Sequence, residues 1–233
     1  MANTPVVVLD DTLTNIANAI RGKNGSSDKY KPGQMADAID NISAGGLGIP
    51  REVIDGVYKI PEVTSFSLPS NATDVGQRAL SDAFSSQQNL TSVGLNHLTT
   101  VSGEYALYNA FSGCTALTSV DLSSLTTVSG SSALASAFDR CTALTSVDLS
   151  SLTTVSGYHS FYNTFGRCSS LTSLSFPALT VSGLQFGSSQ FDDMIRGVTG
   201  CTIHFPAAVQ AKIETTASYP NFGGTNTTVL FDL

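Results

Sequence analysis

Charge is what this chain has least of. Asp, Glu, Lys and Arg make up 12% of its 233 residues, about half of the roughly 25% usual in a soluble globular domain. There is no tryptophan, and between Lys59 and Lys212 there is no lysine at all. The arginines of that stretch are only Arg78, Arg140, Arg167 and Arg196, and the formal net charge is −7. No basic stripe can track a phosphate backbone, so nucleic acid is excluded as a partner. No apolar run approaches the roughly 20 residues of a bilayer span, which excludes helical membrane insertion. The N-terminus, MANTPVVVLDD, lacks a basic n-region and a small-residue cleavage site, so no secretory signal is expected there. Cysteines number four, with no C-x-x-C pair and no histidine cluster beside them, so neither a zinc site nor any other cofactor is implied.

What the chain has in abundance is repetition. CTALTSVDLSSLTTVSG occurs identically at 114–130 and 141–157. The same spacing relates Phe84, Phe111, Phe138 and Phe165, and also Val63, Leu90, Leu117, Leu144 and Leu171, with a fifth, shorter unit running through Phe191. Within a unit Leu117, Val120, Leu122, Leu125 and Val128 carry the spacing L-x-x-L-x-L-x-x-L, a solenoid signature. Alternation around Val120 and Leu122 predicts a short strand, and Thr126-Thr127-Val128 a second extended stretch before the turn at Gly130. In SSALASAF, Ala133, Leu134, Ala137 and Phe138 lie at helical spacing, which predicts one helical or 3-10 piece per coil. The fold class expected is an α/β repeat solenoid of about five 27-residue coils, each a strand plus a short helix, whose apolar residues stack into ladders.

The unit AF-x-x-C-x-x-L-T-S-V-x-L, here AFSGCTALTSVDL and AFDRCTALTSVDL, resembles the BspA-like, Treponema-type leucine-rich repeats of bacterial surface proteins. The resemblance covers about half the chain and departs from the pattern where Gln87 replaces the cysteine.

Two ends flank the repeats. Residues 1–48 read as a helical pair and linker, with Leu13, Ile16, Ala17 and Ile20 on one helix face and Met35, Ala38, Ile39 and Ile42 on the other. This segment also resembles N-terminal segments of phage and prophage tail or baseplate proteins of gut Firmicutes, which implies attachment to other virion proteins through the helices. Residues 49–200 form the solenoid, and 201–233 read as a C-terminal α/β cap, with strands at 202–205 and 228–231 and a helix from Pro206 to Glu214.

The chemistry is sparse. Cys114, Cys141 and Cys168 are one repeat apart and read as a buried ladder of small apolar groups, with Cys201 beyond them. His97, His159 and His204 fall at different phases of the repeat and do not converge on a catalytic or metal site. Asp121 and Asp148 stack on the solvent side of neighbouring strands and are the one weak candidate for a shared cation. The seven residues before each Phe keep their inward types, with Ala79, Ala106, Ala133 and Ser160 small and Leu80, Leu107, Leu134 and Phe161 large, while the outward ones vary. Those outward positions hold Tyr105, Tyr108, Tyr158, His159 and Tyr162, with Asn109 and Asn163 beside them. Tyrosine dominates recognition surfaces because it offers a large amphipathic area at low entropic cost. These seven residues are the candidate ligand-binding face, although the bland coil SSALASA separates the two tyrosine pairs.

Together these observations predict a non-enzymatic binding or structural module, virion-borne or extracellular. The first reading is a phage tail or baseplate protein recognising a bacterial surface glycan or protein. The alternative is a bacterial cell-surface leucine-rich-repeat adhesin. Homo-oligomerisation is left open by the sequence.

Overall fold

The structure is a computed structural model that describes residues 63–233 apart from 69, 71 and 185–188, together with the backbone of two strands at 52–54 and 57–59. The chain divides into two compact units, Met1–Pro61 and Glu62–Leu233. In the first, β1 (Glu52–Ile54) and β2 (Val57–Lys59) pair antiparallel. The expected helical pair at 1–48 lies outside the described residues.

The second unit is a stack of coils, and each coil repeats three faces. The first face is a row of three-residue strands: β3 (Ser65–Ser67), β4 (Ser92–Gly94), β6 (Ser119–Asp121), β8 (Ser146–Asp148), β10 (Ser173–Ser175), β11 (Thr202–His204) and β12 (Thr228–Leu230). The second is the short ladder β5 (Thr100–Val101), β7 (Thr127–Val128) and β9 (Thr154–Val155). All pairings in this unit are parallel and in register, with Phe66, Val93, Val120 and Val147 aligned in one sheet and Leu174, Ile203 and Val229 in another. Threonines staple the coils. Thr99, Thr126, Thr153 and Thr180 each donate a side-chain hydrogen bond to a carbonyl of the preceding coil at 3.0–3.1 Å.

The third face overturns the helix expected in each coil. Every fourth residue there has positive φ: Tyr105 (55°), Asn109 (51°) and Gly113 (76°) in one coil, and His159 (52°), Asn163 (51°) and Arg167 (56°) two coils on. Alternate N–H groups close local turns, as Ala106 to Gly103, Tyr108 to Tyr105 and Ala110 to Leu107, while those between them donate to the next coil, Tyr105 to Ser131, Leu107 to Ala133, Asn109 to Ala135 and Phe111 to Ala137. A helix would spend all its N–H groups internally and leave none to join the coils. The turn ladder satisfies the backbone and knits the stack together. A left-handed residue other than glycine costs about 1–2 kcal/mol, and the inter-coil bonds offset it.

Two further expectations are revised by the register. The fifth coil is longer, not shorter: the strands start 27 residues apart from Ser65 to Ser173, but Ser173 pairs with Thr202 and Thr202 with Thr228. The extra residues follow Thr180, which still bonds Thr153, whereas Leu184 bridges Val155. Phe161 N–H therefore donates to Gln190 and Phe165 N–H to Met194, so Phe191 stands beside Phe161 at 5.5 Å and Ile195 takes the place beneath Phe165. The C-terminal strands expected at 202–205 and 228–231 are present, but as two more rungs of the strand face and not a separate cap. Between them are a 3-10 turn (Ala207–Val209) and one helical turn, α1 (Gln210–Ile213), that bury Val209 and Ile213. Among the described residues the stack therefore has seven rungs.

The core consists of ladders. Phe84, Phe111, Phe138 and Phe165 stack nearly parallel, with centroids 5.3, 5.4 and 5.8 Å apart and all fully buried. Beyond them the leucine columns widen: Phe161 and Phe176 follow Leu134 and Leu149, and Phe191, Phe205 and Phe222 continue the buried aromatic run.

Candidate functional site

The cysteines are core, as their spacing predicted. The thiols of Cys114, Cys141 and Cys168 each donate to the carbonyl of a phenylalanine one coil earlier, Phe84, Phe111 and Phe138, at 3.1–3.2 Å. Burial pushes Cys114 and Cys168 up to about 12, raises Cys141 further and raises Cys201 to about 11. Neutral thiols are inert, so none of the four should react with a thiol reagent at pH 8 until denaturant is added. Because the folded values lie above the unfolded one, the stabilisation is complete below the unfolded thiol range and declines as pH rises from about 9 through the folded values. A melting temperature that stayed constant from pH 8 to 11 would contradict this.

The aromatic residues chosen from the sequence do lie on the turn face, in two clusters. Tyr105 and Tyr108 meet edge to face at 5.6 Å, with the Arg78 guanidinium 4.8 Å from the Tyr105 ring centre. Two coils away, Tyr158 and His159 are 3.8 Å apart, and His159 and Tyr162 are 5.3 Å apart. Tyr158 is the most exposed of these at 55%. Between the two clusters Ala135 occupies the column of Tyr108 and Tyr162 and is only 3% exposed.

The two asparagines are explained by the backbone. Asn109 and Asn163 share a left-handed column with Asp82 and Ser136, a conformation that Asn and Asp adopt most readily after glycine. Asn163, expected to be outward, is 7% exposed; its amide nitrogen donates to Ser136 Oγ at 3.1 Å. It is a turn-forming residue beneath the surface. Beside it Asp139 accepts both 2.7 Å bonds from Arg167 Nη1, a pair sequence reading missed because its members are 28 residues apart.

On the strand face Asp121 and Asp148 are adjacent in register. Each accepts a backbone N–H two residues on, from Ser123 at 3.0 Å and Ser150 at 2.9 Å. The side-chain and backbone hydrogen bonds of Ser123 hold the Asp121 carboxyl below the usual range. Among the described residues no group of three or more His, Cys, Asp or Glu could hold a metal. The histidines stay apart, and His204 instead meets Asp232 at 3.0 Å. No helix of the described residues is long and apolar enough to cross a membrane.

The repeat geometry is matched by a known family profile. The BspA type Leucine rich repeat region (6 copies) covers residues 55–194. The chain belongs to the BspA-type leucine-rich repeat family. No curated protein sequence matches it. Three solved structures are similar to this BspA-type chain. One is a leucine rich repeat protein of T. pallidum, 19% identical, covering 68% of this chain and 69% of that one, with a TM-score of 0.40. Another is a leucine rich cell surface protein of Faecalibacterium prausnitzii A2-165, 19% identical, covering 76% of this chain and 52% of that one, TM-score 0.40. The third is a leucine-rich repeat protein of Bacteroides ovatus ATCC 8483, 16% identical, covering 68% and 57% respectively, TM-score 0.26. The BspA-type match ends before the last two rungs and does not reach residues 1–48, on which the virion reading rests.

Proposed function

We propose that this chain is a non-enzymatic adhesin-type module displayed at a bacterial surface, which contacts a glycan or protein through the aromatic patch of its turn face. Membership of the BspA-type family supports the surface setting over the phage tail or baseplate reading. The observation that carries the binding role is the patch itself. Tyr105, Tyr108, Tyr158, His159 and Tyr162 gather on one face, on coils whose inward residues barely change. Aromatic rings present an apolar face to a sugar or a protein surface and a polar tip to water. Repeat stacks offer extended recognition surfaces of this kind.

The test is saturable binding of the labelled protein to intact gut bacterial cells and purified wall glycans, beside the double variant Tyr108→Ala/Tyr162→Ala. Binding should be lost in the variant while melting falls by only about 2–4 °C, the equivalent of roughly 1 kcal/mol in a domain this large. Unchanged binding by the variant, or no binding to any cell or glycan, would overturn the reading.

A further inference from the structure

The strand face is not continuous. β3, β4, β6 and β8 form one sheet and β10, β11 and β12 another, with no ladder between β8 and β10. The regular bonds that cross every other interval stop here. Thr91, Thr118 and Thr145 each donate both N–H and hydroxyl to a threonine carbonyl one coil back, but Thr172 makes neither bond to Thr145. Among the described residues the other faces still bond across the same interval, with Thr180 donating to Thr153 and Phe161 to Gln190, although the β5–β7–β9 ladder also ends here and leaves a bridge between Val155 and Leu184. The core also changes at this interval: in one column Phe176 follows Leu149, and its ring meets that of Phe161 at 6.2 Å.

Beside the parting lies an open cleft of about 460 Å³, lined chiefly by β6, β8 and the residues after them, with Ser175 and Pro177 on the far side of the gap. Its polar lining includes Asp121, Asp148, Ser146 and Ser175, and its apolar lining includes Val147 and Pro177. Val147 is more exposed than Val93 or Val120, its equivalents in the closed part of the sheet. Among the described residues no Lys, Arg or His lines the cleft, so none of them sets a positive charge against the two carboxylates there. Both are fixed by backbone N–H groups. Such a site is set to accept hydrogen bonds, repels anions, and offers a small apolar surface for one ring face.

We propose that this cleft binds an amine-bearing saccharide, with Asp121 and Asp148 accepting from its ammonium and hydroxyl groups and Val147 and Pro177 packing against the ring. It is separate from the aromatic patch, so the two readings fail independently.

The experiment is calorimetric titration of the full chain, in EDTA, with a β-1,4-linked glucosamine trimer and with a galacturonic acid trimer of equal length. The glucosamine trimer should bind saturably and the acidic one should not. Asp121→Asn/Asp148→Asn should weaken binding at least tenfold with unchanged melting, and Ser175→Tyr, which fills the cleft and keeps both carboxylates, should also abolish it. Tyr108→Ala/Tyr162→Ala should leave it intact. Absence of glucosamine-trimer binding, equal binding of the acidic trimer, or retention of affinity in either cleft variant would overturn the proposal.

Discussion

Gly130→Ala should unfold or uncouple the stack, whereas Gly76→Ala, at the same position of the first coil, should be nearly silent. A methyl on Gly130 would overlap the Gly103 carbonyl oxygen and stand 2.6 Å from its carbon and 2.9 Å from Ser102 O. Neither neighbour can give way, because both are backbone atoms held by inter-coil hydrogen bonds, Gly130 and Ser129 N–H both donating to Val101. Overpacking typically costs about 1–3 kcal/mol, and a clash with fixed backbone atoms stands at the upper end of that range. Gly157 stands in the same relation to Gly130, but nothing lies within 4 Å of a Cβ on Gly76, which begins the column. There the loss of glycine's freedom in the unfolded chain stabilises by about 0.4–1 kcal/mol. Urea denaturation of the two variants checks this. Equal midpoints would show that the glycine column is not where the coils make their closest approach.

Phe138→Ala should be the most damaging single truncation in the core. Phe138 is sandwiched between Phe111 and Phe165 at 5.4 and 5.8 Å, with ring planes within 6° of parallel. Removing such a ring costs about 3–5 kcal/mol. In a stack where each coil contacts only its neighbours, the loss falls on two interfaces at once and weakens coupling between the halves. A broadened or two-step urea transition is therefore expected, with a reduced apparent m-value. Phe231, which is half-buried at the last rung, provides the contrast: Phe231→Ala should lower the midpoint modestly and leave the transition sharp. A sharp, barely shifted transition for Phe138→Ala would mean that the ladder is not the axis of the core.

The ladders were legible because they rest on identity at a fixed spacing. A repeat that returns Phe, Cys, Leu and Thr to the same places forces like onto like when coils stack, so the buried columns, the inert thiols and the strands around Val93 and Val120 follow directly. The turn face did not follow. In SSALASAF the apolar pairs Ala133-Leu134 and Ala137-Phe138 recur after four residues, and over eight residues a period of four cannot be told from 3.6. The longer fifth coil was hidden for a related reason. Phe191 is close to one repeat after Phe165, and only the pairing of Phe161 with Gln190 shows that it belongs to another column.

The candidate surfaces divide in the same way. That Tyr105, Tyr108, Tyr158, His159 and Tyr162 point outward was readable from the repeat, since inward positions kept their types. That Asn163 is buried, that Ala135 is covered and that Asp139 pairs with Arg167 depended on neighbours one or more coils away.

The sequence by itself determined that this protein is a stack of coils, which residues form its core and which surfaces are free to vary, because periodic side-chain chemistry is local information. Only the tertiary structure decided how the backbone joins one coil to the next and where that joining fails. Those outcomes depend on hydrogen bonds between residues about 27 apart, which no single repeat carries.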